Sequence, residues 1–188
     1  MRVVLVVGPS GSGKDSLLRG ARQYFGEGGS LGFVRRYITR PPDESEDNYY
    51  IDQTAFSLLK QLNFFISTWQ AHGNHYGIPC HALASSGSLK GYDLLLLSIS
   101  RSAIVDFEQR HDTVTTIQIM VKEDVLRERL ESRGRENNLE IRQRLERAQQ
   151  TVVARDLITF DNSADLDRSR VNFNILLEKL APAIECTL

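Results

Sequence analysis

The sequence predicts an α/β fold with a five-stranded parallel sheet flanked by helices, and two patterns carry this prediction. Short apolar runs rich in branched residues alternate with segments whose apolar residues recur at helical spacing. The first apolar run, residues 2–7, ends at a glycine and leads straight into a helical segment. Strands that alternate with helices form parallel sheets with right-handed crossovers, so helices are expected to cover the sheet.

Composition limits the function classes. The chain has 188 residues, 41% of them hydrophobic, which is enough for one substantial core, and residues 1–188 are predicted to form a single domain. A net charge of −1 argues against a protein that coats nucleic acid. Five of the 23 Lys and Arg residues are lysines, which leaves 18 arginines. Arginine has the planar fork that matches phosphate oxygens, so local phosphate sites are compatible with the charge.

The cysteines and the hydropathy indicate a compartment. Cys80 and Cys186 are too few and too far apart for a disulfide framework, which fits a reducing environment. The apolar run at residues 3–7 is too short for a signal peptide, and no other segment has the length that crosses a bilayer. We therefore expect a cytoplasmic protein with no membrane partner.

The elements of the first third follow from apolar runs and turn residues. Residues 2–7 form the first strand and Asp15–Tyr24 the first helix. A glycine-rich turn then precedes a second strand at residues 33–38, which ends at the break Arg40-Pro41-Pro42. The acidic stretch 43–52 is expected to be a loop.

The middle of the chain is predicted to be a small insertion at about residues 36–80. Residues 54–62 have the pattern of a short helix, 64–69 that of an extended segment, and 72–79 are rich in turn formers. After it, the continuous apolar run 94–97 is typical of a central parallel strand that is covered on both faces.

The last third repeats the alternation of strands and helices. An arginine-bearing hinge, SRGRENN at residues 132–138, separates two helical segments. The predicted elements are a strand at 113–121, helices at 124–130 and 139–153, a strand at 157–160 and a helix at 165–180.

The pattern Gly8-x-x-x-x-Gly13-Lys14 predicts a phosphate-binding loop. Its glycines allow backbone N–H groups to turn towards phosphate oxygens, and Lys14 can reach the outer phosphates. The alternative is an ordinary glycine-rich turn, but the position between the first strand and the first helix is the context that the motif requires. The predicted ATP-binding residues are Gly8, Pro9, Ser10, Gly11, Ser12, Gly13, Lys14, Asp15 and Ser16.

Asp15 occupies the position at which such loops carry the hydroxyl that contacts Mg²⁺. A carboxylate is also a hard oxygen ligand, and it can bind that ion directly or through a water molecule, so Asp15 is a candidate metal ligand. The alternative is that Asp15 is only an acidic residue in the first turn of a helix, where the helix dipole favours it.

Four segments, GPSGSGKDSLL, RRYITRPP, HGNHYG and RLESRGRENNLEIRQRLERA, are spread over residues 8–148. With them the chain resembles the guanylate-kinase-like phosphate-loop kinases, and within these it looks most like the ribose 1,5-bisphosphate phosphokinases. The resemblance implies that Arg40 and Tyr76 bind the acceptor phosphate. It also implies that Arg133 and Arg135 belong to a lid, at about residues 132–140, that closes on ATP.

The departures from guanylate kinases concern the acceptor. Arg36 and Ser67 stand where guanylate kinases read the base with a serine and a glutamate, and Asp43 stands where they have a second acceptor arginine. The acidic pair of the central strand is replaced by Ser98 and Ser100. A site without the purine-reading carboxylate discriminates poorly for guanine. A guanidinium at position 36 favours an acceptor with additional negative charge, and Arg36 is therefore a predicted acceptor-binding residue.

The resemblance implies a reaction, namely transfer of the ATP γ-phosphoryl group to the 1-phosphate of ribose 1,5-bisphosphate. The products are 5-phosphoribosyl 1-diphosphate (PRPP) and ADP, in PRPP biosynthesis and phosphonate metabolism. The acceptor phosphate is already an anion, so in-line positioning and charge neutralisation by Lys14, Mg²⁺, Arg133 and Arg135 would suffice.

Several alternatives stay open at this point. The chain could be a nucleoside monophosphate kinase or a non-catalytic binding module, although Lys14 together with the lid arginines argues against the module. Arg36 could point to solvent or pair with the acidic loop, and Arg144 could lie on a solvated helix surface or reach the phosphates. The patterns do not distinguish Tyr49 from Tyr50 at the acceptor, and they do not determine the oligomeric state. His72 and His75 are expected to be polar loop residues rather than metal ligands.

Overall fold

The computed structural model describes residues 1–26, 31–41, 48–71, 73–83, 91–134 and 137–181, with only the backbone of residue 133. The elements in chain order are β1 (Arg2–Val7), α1 (Lys14–Phe25), β2 (Leu31–Phe33), β3 (Tyr37–Ile38), β4 (Tyr49–Tyr50), α2 (Gln53–Gln61), β5 (Phe65–Ala71), β6 (Asn74–Pro79), β7 (Leu94–Ser98), α3 (Ile104–Glu108), β8 (Val114–Met120), α4 (Glu123–Arg133), α5 (Asn138–Ala148), β9 (Leu157–Asp161) and α6 (Leu166–Leu180).

The main sheet has five parallel strands in the order β2-β7-β1-β8-β9, which confirms the predicted fold class. Strand β1 lies at its centre, and its side chains alternate between two apolar clusters, as the period of a strand requires. Val4 and Val6 pack towards α1 and α6, whereas Val3 and Leu5 pack towards α3. The sheet is thus covered on both faces, which is why β1 and β7 are continuous apolar runs.

A second, mixed sheet of four strands, in the order β4-β3-β6-β5, lies beyond the carboxyl end of β7. The single strand predicted at residues 33–38 is wrong, because the chain leaves the main sheet after Phe33 and enters the second sheet at Tyr37. Both pieces are apolar, and the pair Arg35-Arg36 between them is the one feature of the sequence that marks the break. Strand β4, at Tyr49–Tyr50, lies in the stretch that was expected to be a loop.

Residues 74–79, which were predicted to be turn-rich, instead form β6, which pairs with β5 along its length. The glycine in this strand has a packing role. A Cβ on Gly77 would lie 2.6 Å from Phe65 Cδ1, so the aromatic ring covers the backbone directly. Helix α3 was not predicted, and α5 ends at Ala148 rather than at residue 153, because Val152 turns into the core.

Helices α4 and α5 form a hairpin with its own small apolar cluster of Leu126, Leu130, Ile141 and Leu145. The N-terminus of α5 has a reciprocal capping box between Asn137 and Glu140. Within the described part of the chain, no helix is long and apolar enough to cross a membrane.

The other end of α5 is held by Arg101, which follows β7. Its guanidinium donates to the carbonyl oxygens of Arg147 and Gln150, at 2.9 and 3.0 Å. Burial lowers the pKa of Arg101 from its ordinary value. These two hydrogen bonds therefore hold the α4–α5 hairpin against the segment that follows β7.

Candidate active site

The phosphate loop, residues 8–16, leaves β1 and enters α1 in a conformation that only glycine adopts without strain. Gly11 and Gly13 have φ angles of 88° and 85°, in the left-handed region. A Cβ on Gly13 would lie 2.5 Å from Asn162 Nδ2, and one on Gly11 would lie 2.9 Å from Leu130. The glycines are needed both for the turn and for the close approach of neighbouring elements.

Lys14 folds back over the loop that it follows. Its Nζ donates to the carbonyl oxygens of Gly8 and Pro9, both at 2.8 Å, and lies 3.4 Å from Ser12 Oγ. The ammonium group thus lies at the mouth of the loop. A phosphate bound by the loop amides would meet it there.

Asn162, which follows β9, was missed by the sequence reasoning. It is 2% exposed, and its Nδ2 donates to the carbonyl oxygen of Ser12 at 2.6 Å. This bond fixes the Ser12 carbonyl on the side of Asn162. One signal could have found it: ligand sites in parallel sheets lie outside the carboxyl ends of the strands, and Asn162 comes directly after one of them.

The α4–α5 hairpin also contacts the loop. Arg144 Nη1 donates to Ser10 Oγ, so Arg144 lies against the phosphate loop and not on a purely solvated helix surface. Arg133 is the last residue of α4, but its side chain lies outside the described part, as does Arg135.

Arg36 connects the phosphate loop with the second sheet. Its side chain is 13% exposed, so the alternative in which it points to solvent is wrong. Nε donates to Asn48 Oδ1 at 2.9 Å, Nη1 lies 3.2 Å from Ser98 Oγ, and Nη2 lies 3.3 Å from Asp15 Oδ1. Its guanidinium also lies over the Tyr76 ring, 5.6 Å from the ring centre. The acidic residues 43, 44 and 46 lie outside the described part.

Tyr76 and Ser67 lie on the second sheet. Tyr76 is buried and stacks on Trp69, with ring centres 5.5 Å apart and planes 3° apart. Ser67 is 4% exposed, and its hydroxyl donates to Asp106 Oδ2 at 2.6 Å. The Ser67 hydroxyl is therefore already engaged, and the unpredicted helix α3 supplies a carboxylate beside it.

The other predicted acceptor groups lie further along β3 and β6. Arg40 follows β3, and its Nη1 donates to the carbonyl oxygen of Pro41 at 3.2 Å. The expectation that His75 is a loop residue is wrong: it lies in strand β6, where its ring packs against Phe56 at 5.4 Å, while His72 lies outside the described part. Tyr49 packs against Tyr37 at 5.0 Å, and both Tyr49 and Tyr50 are exposed.

The chain's own donors fit a metal ion that arrives with a nucleotide. Among the described residues, no group of three or more His, Cys, Asp or Glu side chains could hold a metal ion. Mg²⁺ commonly keeps several waters and uses one or two carboxylates together with substrate phosphates. Asp15 is 41% exposed and stands next to Lys14, which suits that arrangement.

The chain is similar to known kinases over almost its whole length. The family model of guanylate kinase matches residues 1–179. A ribose 1,5-bisphosphate phosphokinase from Pectobacterium atrosepticum is 36% identical, covering 94% of this chain and 93% of that protein. One from Burkholderia pseudomallei is 38% identical, covering 96% of this chain and 97% of that protein.

Solved structures share the fold at low identity. The guanylate kinase from Anaplasma phagocytophilum has a TM-score of 0.67 at 19% identity, covering 98% of this chain and 87% of that one. A gluconokinase from Sinorhizobium meliloti has a TM-score of 0.52 at 18% identity, covering 96% and 93%. With a phosphate loop between β1 and α1 and a family match from residue 1 to residue 179, the chain belongs to the guanylate kinase family.

Proposed function

We propose that this protein transfers the γ-phosphoryl group of ATP to the 1-phosphate of ribose 1,5-bisphosphate, giving PRPP and ADP. The observation that carries the proposal is the position of Arg36, whose partly buried side chain lies between the phosphate loop and the second sheet. Such a group suits an acceptor with a further phosphate rather than a neutral base. The relatives that carry this activity in their names support it.

The proposal assigns ATP to the phosphate loop. The amides of residues 11–16 and the ammonium of Lys14 would hold the donor phosphates, and Arg144 already lies against Ser10. Asp15 would be the loop carboxylate that helps to hold Mg²⁺ when it is bound with ATP, and the ion would supply charge neutralisation on the transferring group. Arg133 and Arg135 would complete the charge neutralisation from a lid at about residues 132–140.

The acceptor would bind between the phosphate loop and an insertion at about residues 36–80, within a single domain of residues 1–188. We assign Arg36, Arg40 and Tyr76 to its phosphate groups. The acceptor phosphate is an anion at neutral pH, so the reaction needs no base that removes a proton. Alignment and neutralisation of charge would supply the catalysis. The reaction would belong to PRPP biosynthesis and phosphonate metabolism in the cytoplasm.

The alternative acceptor is GMP. A guanine site needs a group that reads the purine edge, and Ser67 already donates its hydroxyl to Asp106. The carboxylate of Asp106 lies beside Ser67 and is the group that could read a purine edge there. Turnover of GMP is therefore measured directly.

One assay tests the proposal. ADP release is measured with Mg²⁺ and ATP against ribose 1,5-bisphosphate, ribose 5-phosphate, GMP and AMP under identical conditions. We expect kcat/KM for ribose 1,5-bisphosphate to exceed that for each other acceptor by at least about a hundredfold, because a missing charged partner strongly penalises the wrong substrate. Comparable or higher turnover of GMP would replace the proposal with a guanylate kinase activity.

A further inference from the structure

One ion pair joins the two halves of the site. Asp15 Oδ1, on the phosphate loop, lies 3.3 Å from Nη2 of Arg36, at the edge of the second sheet. The other hydrogen-bond partners of Arg36 are neutral, namely Asn48 Oδ1 and the hydroxyl and carbonyl oxygens of Ser98. Among the described residues, Asp15 is thus the one carboxylate that balances the charge of Arg36.

The neutral contacts and the charged contact have different consequences. Asn48 and Ser98 hold Nε and Nη1, so they fix the orientation of the guanidinium without Asp15. Asp15 neutralises a charge that is mostly removed from water. A phosphate that arrives at Nη2 would bring its own negative charge, and it would compete with the carboxylate for the same N–H groups.

The two partners also differ in accessibility. The side chain of Arg36 is 13% exposed and held on three sides, whereas that of Asp15 is 41% exposed and lies in the first turn of α1. When an anion enters, the side chain that has room to turn away is Asp15. It stands beside Lys14, on the side of the loop where the donor phosphates would lie.

We propose that Asp15 is the resident counterion of Arg36, which the acceptor phosphate displaces, and that the displaced carboxylate then serves the metal-bound donor. The proposal rests on the proposed function for the identity of the acceptor. It explains why a carboxylate follows Lys14 in a chain that has an arginine at position 36. It also predicts that each substrate raises the affinity of the protein for the other, because binding of either one favours the Asp15 position that the other requires.

The first test measures acceptor binding alone. Calorimetry without nucleotide or metal compares the wild type with Asp15→Asn, using ribose 1,5-bisphosphate and, separately, inorganic phosphate. We expect Asp15→Asn to bind each anion roughly fivefold more tightly, because the anion then no longer has to displace a half-exposed charged partner from Arg36. Unchanged or weaker binding overturns the proposal.

Two variants serve as controls for this measurement. Asp167→Asn removes the same charge from the first turn of α6, where the carboxylate lies 3.6 Å from Arg170, and it should leave both affinities unchanged. In an Arg36→Gln background, Asp15→Asn should no longer tighten anion binding. A gain that persists without Arg36 would mean a general charge effect on the phosphate loop, which contradicts the counterion role.

The second test measures reciprocity. In the wild type, saturating Mg²⁺ and a non-hydrolysable ATP analogue should tighten ribose 1,5-bisphosphate binding, and Asp15→Asn should lose most of that gain. An equal gain in both proteins overturns the proposal. If Asp15→Asn does not fold by circular dichroism, Asp15→Ser takes its place in both tests.

The measurement with inorganic phosphate distinguishes failure of the counterion role from failure of the proposed function. If the wild type fails to bind ribose 1,5-bisphosphate, but Asp15→Asn still tightens inorganic phosphate through Arg36, the counterion role stands and the acceptor assignment falls. If ribose 1,5-bisphosphate binds and neither anion responds to Asp15→Asn, the acceptor assignment stands and the counterion role falls.

Discussion

At the scale of single residues, the site is defined by cations that are already in position. Lys14 lies on the loop carbonyls, Arg144 on Ser10, and Arg36 between Asp15 and Ser98. If these groups bind the substrates as proposed, they would need little reorganisation when charge develops in the transition state.

Lys14→Ala should keep the fold and lower kcat by about a hundredfold or more. One preorganised charge on the transferring group contributes about 3 kcal/mol to transition-state stabilisation. The comparison is Lys60→Ala, an exposed lysine in the last turn of α2, which should leave the rate unchanged. Steady-state ADP release checks both variants, and near-normal turnover of Lys14→Ala would remove this side chain from the mechanism.

Arg36→Ser should lower kcat/KM for ribose 1,5-bisphosphate while the KM for ATP changes little. The loss should correspond to a charge-assisted hydrogen bond, roughly 1.5–3 kcal/mol, which is about ten- to a hundredfold. Initial rates across acceptor concentrations measure it. An unchanged kcat/KM would show that a different cation, such as Arg35 or Arg40, holds the acceptor phosphate.

At the scale of elements, the shape of the phosphate loop depends on its packing against two partners. Asn162 approaches Gly13, and Leu130 of α4 approaches Gly11, each within a distance that no Cβ allows. A side chain at either glycine would therefore have to displace the side chain of Asn162 or of Leu130.

Gly13→Ala should destabilise the protein by about 1–3 kcal/mol and abolish measurable ATP binding, since it combines a strained φ with a steric clash. Gly26→Ala separates these causes. Gly26 also has a positive φ, 70°, but a Cβ added there would meet no described atom within 4 Å, so this variant carries the backbone strain alone. Urea unfolding and nucleotide titration test the pair, and equal losses in both variants would argue against the contact with Asn162.

Elements with one dominant signal were predictable from sequence. Strand β1 and strand β7 are continuous apolar runs, and the glycines and lysine of the loop show a fixed spacing. Strand β6 was missed because its glycine, asparagine and proline are turn formers, and only the Phe65 ring over Gly77 explains the glycine. Helix α3 has five residues, too few for a period to show.

The contacts within the site were less predictable than its motif. Asn162 is 150 residues from Ser12, and Arg36 is 62 residues from Ser98, so only the fold brings them together. The lid arginines, Arg133 and Arg135, stay predictions. Residue types and spacing predict a phosphate loop, but they do not say which polar side chains the topology will place around it.

At the scale of the whole molecule, the candidate site lies where the two sheets meet. Strand β1 leads to the phosphate loop, β7 ends at Ser98 beneath Arg36, and the second sheet presents Tyr76 above it. The opposite end of the main sheet is a different environment. There a cavity of about 180 Å³ is lined by residues that include Arg2, His111 and Asp156.

Stability should depend on pH through His111. Burial lowers its pKa below the ordinary 6.5, and its Nε2 is buried without a hydrogen-bond partner among the described residues. The unfolded chain therefore binds the proton more readily, so the stabilising contribution is fully present above about pH 6.5 and is lost as the pH falls through the folded pKa.

Urea unfolding between pH 8 and pH 5 measures this dependence. The free energy of unfolding should fall towards pH 5 in the wild type, and His111→Gln should reduce the slope. His81→Gln, at an exposed position, accounts for the loss of one histidine. An identical slope in the wild type and His111→Gln would place the pH dependence on other groups.

The stack of Trp69 on Tyr76 should make the proposed binding of an anion at Arg36 visible in fluorescence. The chain has one tryptophan, so its indole emission comes from a single place. That indole lies face to face with the phenol over which the Arg36 guanidinium is held. An anion that binds to this guanidinium should change the electric field at the stacked rings. The fluorescence quantum yield of the indole should then change as well. If the proposed sites are right, intrinsic fluorescence would report without a label the order in which the two substrates bind.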